Sequence, residues 1–325
     1  MKRWLFPFAL ACALPLAAQA EEPKELNFGL ISTDSSVNLK KEWGPLLADM
    51  EKRLGIKVNA FFASDYAGVI EAMRFNKVQL AWFGNKSAIE AVDRAGGEVF
   101  VQKVRDDGTA GYYSVLITHK DLPYKSLDDV LKNGKQIAFG NGDPNSTSGF
   151  LVPSYYVFAA NKIDSRTFFK SSRSASHEVN AMAVANKQVD VATNNTEDLE
   201  HFKANSPKDY EQLRVIWTSP QIPSDPIVWR KDLPDSVKAR LREFFLDYGQ
   251  KGPEVEHDRQ VLAGLLLTKF QASSDRQLLP VRQLELFRNK TRIQDDTTLS
   301  AAEKEAKIRE IDAKLAELSQ QLAQR

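Results

Sequence analysis

The stretch Phe139-Gly140-Asn141-Gly142-Asp143-Pro144-Asn145-Ser146-Thr147-Ser148-Gly149-Phe150 joins two apolar runs of different character. Gln136 to Phe139 reads as a strand, and Phe150 to Ala160 reads as a helix. A strand that leaves through a glycine-rich turn into a helix is one unit of an α/β sheet. Ligands of such sheets sit at the strand C-termini. Ser146, Thr147 and Ser148 put three hydroxyls beside the unpaired backbone N–H groups of a first helical turn. That arrangement suits a tetrahedral oxyanion, because the N–H groups and the helix dipole both favour negative charge. The run holds no Lys or Arg, so an anion there is bound by hydrogen bonds rather than by a cationic clamp. It is not a nucleotide P-loop, since no Gly-Lys-Ser/Thr follows the glycines. The same residues also suit an ordinary helix N-cap, and spacing alone does not separate the two readings.

The alternation continues in both directions. Leu26 to Ile31 reads as a strand entering a polar turn, Ser32 to Ser36, and Trp43 to Leu54 is apolar at helical spacing. Ile56 to Phe62 is a second strand, Tyr66 to Asn76 a helix, and Val78 to Phe83 a third strand that stops at Gly84-Asn85. Downstream, Val179 to Ala185 is a short helix, Val189 to Ala192 a strand, and Val215 to Trp217 a strand leading into the Pro-rich stretch Pro220 to Pro226. Tyr113 to Thr118 is a strand placed to cross between two such units, with hinges expected near Thr118 and Trp217. Two α/β lobes joined in this way leave a cleft for a small ligand. The division expected is a first lobe over 21–117 that returns over 218–290, and a second lobe over 118–217.

The ends differ from the middle. Lys2 and Arg3, an apolar run from Trp4 to Ala17, and Ala18-Gln19-Ala20 have the form of a signal peptide over 1–20, cleaved before Glu21. The single cysteine, Cys12, lies inside it and lacks a good lipobox. The mature chain therefore has no disulfide, zinc–thiolate site or cysteine nucleophile. A net charge of +1 and no basic block interleaved with aromatics argue against a nucleic-acid partner. At the other end, a helix is expected over 291–325. Ser300 and Glu303 form a capping box, and Ile308, Ile311, Leu315, Leu318 and Leu322 follow coiled-coil spacing. That seam either packs on its own domain or makes a homodimer.

Gly140 to Phe150 resembles the signature of the periplasmic binding proteins of phosphonate ABC transporters. Phe61 to Gly68 (FFASDYAG), Met73 to Val78 (MRFNKV), Ala81 to Asn85 (AWFGN), Val184 to Glu197 (VANKQVDVATNNTE) and Pro223 to Arg230 (PSDPIVWR) agree with it. The similarity runs from about Leu26 to about Phe287. It implies a type II periplasmic-binding fold, two α/β lobes closing on ligand, and a membrane permease as partner, with no cofactor and no metal. It further implies that Ser146, Thr147 and Ser148 hold phosphonate oxygens with Tyr66 and His177. Tyr112 would line the cleft, and Glu197 and Asp225 would receive a ligand amine, as in 2-aminoethylphosphonate. Phe83 departs from the Tyr expected in AWFGN and leaves that position's role open.

Each assignment has a plainer counterpart. His177 and Glu178 could pair on the surface, Glu197 could serve a capping box, Asp225 could sit in a turn, and Tyr66 and Tyr112 could be core aromatics. The rival from another class is a serine hydrolase with Ser148 as nucleophile, His177 as base and Asp190 or Asp225 as orienter, although no G-x-S-x-G elbow is present. Phosphate or phosphite is the rival ligand, and a sensor that presents ligand to a membrane receptor is the rival role.

Overall fold

A computed structural model describes residues 22–109 and 111–324. The expected signal peptide, its cleavage point and Cys12 lie outside the described residues. The first group of strands is β1 Glu25–Leu30, β2 Lys57–Phe62, β3 Leu80–Trp82, β4 Gly97–Arg105, β5 Gly111–Tyr112 and β6 Ser114–His119. There follow β7 Ala138–Asn141, β8 Ser171–Ser174, β9 Val191–Asn195, β10 Leu213–Thr218, β11 Ile222–Pro223, β12 Pro226–Arg230 and β13 Leu267–Ala272. They form two sheets of orders β13-β4-β12-β3-β1-β2 and β10-β6-β9-β7-β8, and a ribbon of β11 with β5.

In the first sheet β2, β1 and β3 run parallel, as strands joined by crossover helices must, while β12, β4 and β13 add antiparallel pairs. Its core is one apolar cluster that includes the stacked rings of Phe100 and Trp229, 3.9 Å apart. The second sheet has parallel β8, β7 and β9, with β6 and β10 antiparallel beyond them, and separate clusters on its two faces. Each lobe thus has an apolar core of its own, although Leu151 of the second lobe is buried in the cluster of the first.

The chain passes between the sheets just before β6 and again just before β12, and the two passages are bonded together as the β5–β11 ribbon. The sequence reading set the hinges near Thr118 and Trp217. Both lie instead inside the β6–β10 ladder, where Thr118 pairs with Arg214 and Trp217 with Leu116. The first helix also departs from expectation. It spans Ser36–Leu54, beginning seven residues before Trp43, and continues through Gly44 and Pro45 because Leu39 and Trp43 are already buried on its core face. Ser35 caps its start and Gly55, at φ 63°, ends it.

Phe150 to Ala160 is not one regular α-helix. Wide turns run over Thr147–Leu151 and Ser154–Phe158, followed by a tight turn at Ala159–Asn161. Pro153 has no N–H to give to Gly149, and the Gly149 carbonyl accepts from Gly142 N instead, at 3.0 Å. That bond folds the glycine-rich loop onto the helix start. A Cβ at Gly142 would lie 2.5 Å from the Gly149 backbone, so only glycine fits there.

The C-terminal segment forms two helices, Leu279–Asp295 and Ala301–Ala323. The second begins at the Ser300–Glu303 capping box. Its seam faces the first, with Ile311 and Leu315 buried, and Lys290 pairs with Asp312 at 2.5 Å. The same-domain reading of the seam is the one the structure adopts, because the helix Leu279–Asp295 already covers the apolar stripe. Leu315→Ala should cost about 2 kcal/mol in denaturant unfolding, with the mass in sedimentation unchanged. A shift in mass would mean that copies share the seam.

Candidate functional site

All eight residues picked out by the sequence are buried, none more than 8% exposed. That excludes a surface pair for His177. Ser146, Thr147 and Ser148 follow β7 and the glycine loop, and each hydroxyl oxygen already accepts a hydrogen bond. Ser146 Oγ accepts from Gly149 N at 2.9 Å, Thr147 Oγ1 from Lys86 N at 2.8 Å, and Ser148 Oγ from Asn195 Nδ2 at 3.1 Å. A hydroxyl that accepts from an N–H has its own proton left to give. Three neighbouring hydroxyls are therefore prepared as donors.

The Thr147 bond crosses the cleft, because Lys86 lies in the first turn of the helix Asn85–Arg94 of the first lobe. That helix has Gly84 as N-cap and no side-chain cap, so its first N–H groups depend on what faces them. The Lys86 ammonium turns away, to Glu90 at 3.2 Å and Glu285 at 3.0 Å. Tyr66 begins another first-lobe helix, and its N–H reaches across to Asp143 Oδ2 at 3.2 Å. Burial, with the charges of Asp198, Asp143 and Asp225, pushes the Tyr66 phenol well above its usual value. It keeps its proton and is a further donor. His177 Nε2 lies 3.3 Å from both Ser146 Oγ and Asn195 Nδ2, and its Nδ1 has no partner among the described residues.

The acidic residues gather on the other side of Gly84. A Cβ there would sit 3.2 Å from Thr147 Oγ1 and 3.9 Å from Asp225 Oδ1, so the donor pole and the acidic pole meet at this glycine. Asp225 accepts from the Tyr112 hydroxyl and from Trp82 Nε1, each at 3.1 Å. Tyr112 and Asp225 thus stand on or beside the ribbon that links the lobes. Glu197 lies in the first turn of the helix Thr196–Asn205. It is not a capping-box residue there, since Asn195 is the cap and Asp198 the third residue.

The sequence reading missed Lys103 and Arg105, which project from β4. Lys103 Nζ lies 3.0 Å from Glu197 Oε2 and 3.7 Å from Asp225 Oδ2, and Arg105 lies 3.5 Å from Glu197. Burial pushes the Glu197 carboxyl up, but these two cations outweigh it and hold it below the usual range. Burial pushes Asp225 up to about 7, with Lys103 pulling it down and Glu197 pushing it further up. The signal in β4 was its β-branched and aromatic run, Val99-Phe100-Val101, and a lysine three residues before a turn gave no hint of burial.

The hydrolase set does not assemble. Ser146 rather than Ser148 faces His177, Asp190 accepts from Ala138 N at 2.7 Å, and Asp225 is bonded to Tyr112 and Trp82. Phe83 is wholly buried in the first-lobe core. Elsewhere, Asp49, His257 and Asp258 come together, and Arg53 and the Tyr248 hydroxyl already satisfy the two carboxylates.

A family described as the periplasmic substrate-binding protein of phosphonate ABC transporters matches residues 28–278. The chain belongs to that family. It is 56% identical over 311 residues to the phosphonates-binding periplasmic protein of Escherichia coli strain K12, covering 96% of this chain and 90% of the relative. The binding component of a phosphonate ABC transporter from Pseudomonas aeruginosa has a solved structure that superposes with a TM-score of 0.90. Identity to it is 54%, over 94% of this chain and 99% of that one. A phosphate-import protein of Mycolicibacterium smegmatis is 30% identical over 234 residues, 69% of this chain and 71% of the relative. The two-lobed α/β fold is accordingly the type II periplasmic-binding fold, and this binding protein is the substrate-capturing part of a transport system. Among the described residues no helix is long and apolar enough to cross a membrane.

The lobes of this binding protein touch through polar contacts near the mouth of the cleft. Glu178 accepts from Ser35 N at 2.8 Å and from Asn38 Nδ2 at 3.2 Å, and His201 lies 3.2 Å from Glu42. Burial, then the bond and charge of Asp34 across the cleft, push Glu178 up to about 7. His201 is raised, as the Glu42 bond and charge overcome its burial. A raised value in the touching form means that each contact is strongest at low pH, and the contribution of Glu178 is lost as pH rises through about 7. Between pH 6 and 8.5 the ligand-free protein should open, with a larger radius of gyration in small-angle scattering. Glu178→Gln should blunt the change, and identical scattering at both pH values would contradict the assignment.

Proposed function

We propose that this chain captures alkylphosphonates, with 2-aminoethylphosphonate preferred, and delivers them to the permease of an ABC importer. We read it as a carrier and not an enzyme, exported by the signal peptide over 1–20. The observation that carries the reading is the meeting of two poles at Gly84. On one side are hydroxyls at 146–148 whose oxygens are already engaged by N–H donors, and on the other the buried carboxylates Glu197 and Asp225. A phosphonate dianion needs many donors and few acceptors, and an ammonium needs acceptors only. In this reading Ser146, Thr147, Ser148, Tyr66 and His177 take the phosphonate. Glu197 and Asp225 take the amine, and Tyr112 holds Asp225 in place.

A second reading is favoured by Lys103, whose ammonium already lies against Glu197. A small inorganic oxyanion such as phosphate or phosphite would use the donor pole alone and leave that pair undisturbed. Calorimetric titration with 2-aminoethylphosphonate, methylphosphonate and phosphate in parallel separates the two. The aminophosphonate should bind at least about tenfold tighter than methylphosphonate, the size of one charge-assisted hydrogen bond. Phosphate should be weakest, and Glu197→Gln should erase the advantage of the amine while sparing methylphosphonate. Equal binding of all three would sink the amine role. Phosphate tightest would establish the second reading.

A further inference from the structure

The environment of Lys103 Nζ is that of a bound ammonium. The residue is 6% exposed. Its ammonium donates to Glu197 at 3.0 Å, lies 3.7 Å from Asp225, and stands 4.8 Å from the centre of the Trp82 ring. Two carboxylates and an aromatic face are the groups that recognise a ligand amine. The pole is also close to electrically neutral, since Lys103 and Arg105 offset Glu197 and Asp225. A second ammonium entering it would meet a like charge at close range unless the first one left.

Lys103 has somewhere to go. Beside it is a cavity of about 20 Å³ lined by Asp34, Glu42, Asp198 and His201 as well as by Trp82 and Glu197. Three further carboxylates therefore line the same cavity as Lys103, whose ammonium is carried on a flexible four-carbon stem. Glu197 and Asp225 themselves are held from other directions. Asp225 is bonded to Tyr112 and Trp82, and Glu197 is paired with Arg105, so both would keep their positions as the lysine moved.

We propose that Lys103 is a specificity-determining residue: a built-in ammonium that occupies the amine pole and must be displaced by a cationic ligand tail. It therefore reduces discrimination in favour of aminophosphonates and keeps the site open to phosphonates with neutral tails. The inference rests on the two-pole reading of the cleft given above.

The test compares affinities of the wild type, Lys103→Met and Lys103→Arg for 2-aminoethylphosphonate and for ethylphosphonate, which has the same carbon chain without the amine. Lys103→Met should raise the ratio of the two affinities at least about tenfold, mainly through tighter aminophosphonate binding, with ethylphosphonate changed less than about threefold. Lys103→Arg keeps a cation in the pole and should stay near the wild-type ratio. A lysine that only props up the carboxylates would give the opposite result: Lys103→Met would weaken the aminophosphonate, or move both ligands equally, and the proposal would fail. If near-ultraviolet circular dichroism shows Lys103→Met to be unfolded, Lys103→Gln, neutral and close in length, should shift the ratio in the same direction. An unchanged ratio in Lys103→Gln would overturn the idea equally. Wild type that binds neither phosphonate would point to failure of the two-pole reading itself. Binding of both with a ratio indifferent to residue 103 would point to failure of the lysine alone.

Discussion

A buried hydroxyl is costly unless its hydrogen bonds are made, and three adjacent ones at Ser146, Thr147 and Ser148 set the terms for everything around them. Each is supplied with a donor by a different part of the chain. Gly149 N comes from the wide first turn, Lys86 N from the opposite lobe, and Asn195 Nδ2 from the end of β9. The glycines at 142 and 149 let the loop fold tightly enough for this to happen. Because the oxygens are engaged, the protons are left to point elsewhere, and the cluster becomes a donor surface without any cationic residue in it. Under the proposed function, a neutral cradle of this kind holds an oxyanion by geometry and releases it more readily than a cationic clamp would.

The same economy appears between the lobes. Each sheet has its own apolar core, and besides Leu151 the contacts across the cleft include hydrogen bonds and ion pairs: Lys86 to Thr147, Tyr66 to Asp143, Ser35 to Glu178, and Arg105 to Glu200 at 2.7 Å. Polar contacts exchange for water at small net cost, whereas an apolar interface of the same extent would not part so easily. The β5–β11 ribbon keeps the two passages together while the lobes separate. Tyr112 lies on that ribbon and Asp225 beside it, while Glu197 comes from the helix Thr196–Asn205 of the second lobe, so the acidic pole draws on both.

Much of this was legible in the sequence, because the fold class depends on periodicity. Alternating short apolar runs and helical spacings announced an α/β protein, and the strand–glycine loop–hydroxyl run marked out three residues that the structure brings together and buries. Legibility failed where a long-range partner overrides a local rule. The first helix was read only from Trp43, yet it starts at Ser36 on the strength of Leu39 and Trp43. Pro153 looked harmless, yet it converts the expected helix after Gly149 into wide turns. The coiled-coil spacing of residues 308–322 was real but could not reveal that its partner is the preceding helix. The largest omission was β4. Lys103 and Arg105 come at the end of that strand, and nothing about two basic residues before an Asp-Asp-Gly turn signals that both are buried against carboxylates from another lobe.

The account comes down to which atoms of a ligand meet which pole. A crystal structure of the protein with 2-aminoethylphosphonate tests it most directly. The expected density places the phosphonate oxygens on the hydroxyls of Ser146, Thr147 and Ser148, and the ammonium between Glu197 and Asp225, with the Lys103 side chain withdrawn toward Asp198 and Glu42. A ligand bound outside the cleft, or in the cleft with its amine directed away from Glu197 and Asp225, would contradict it.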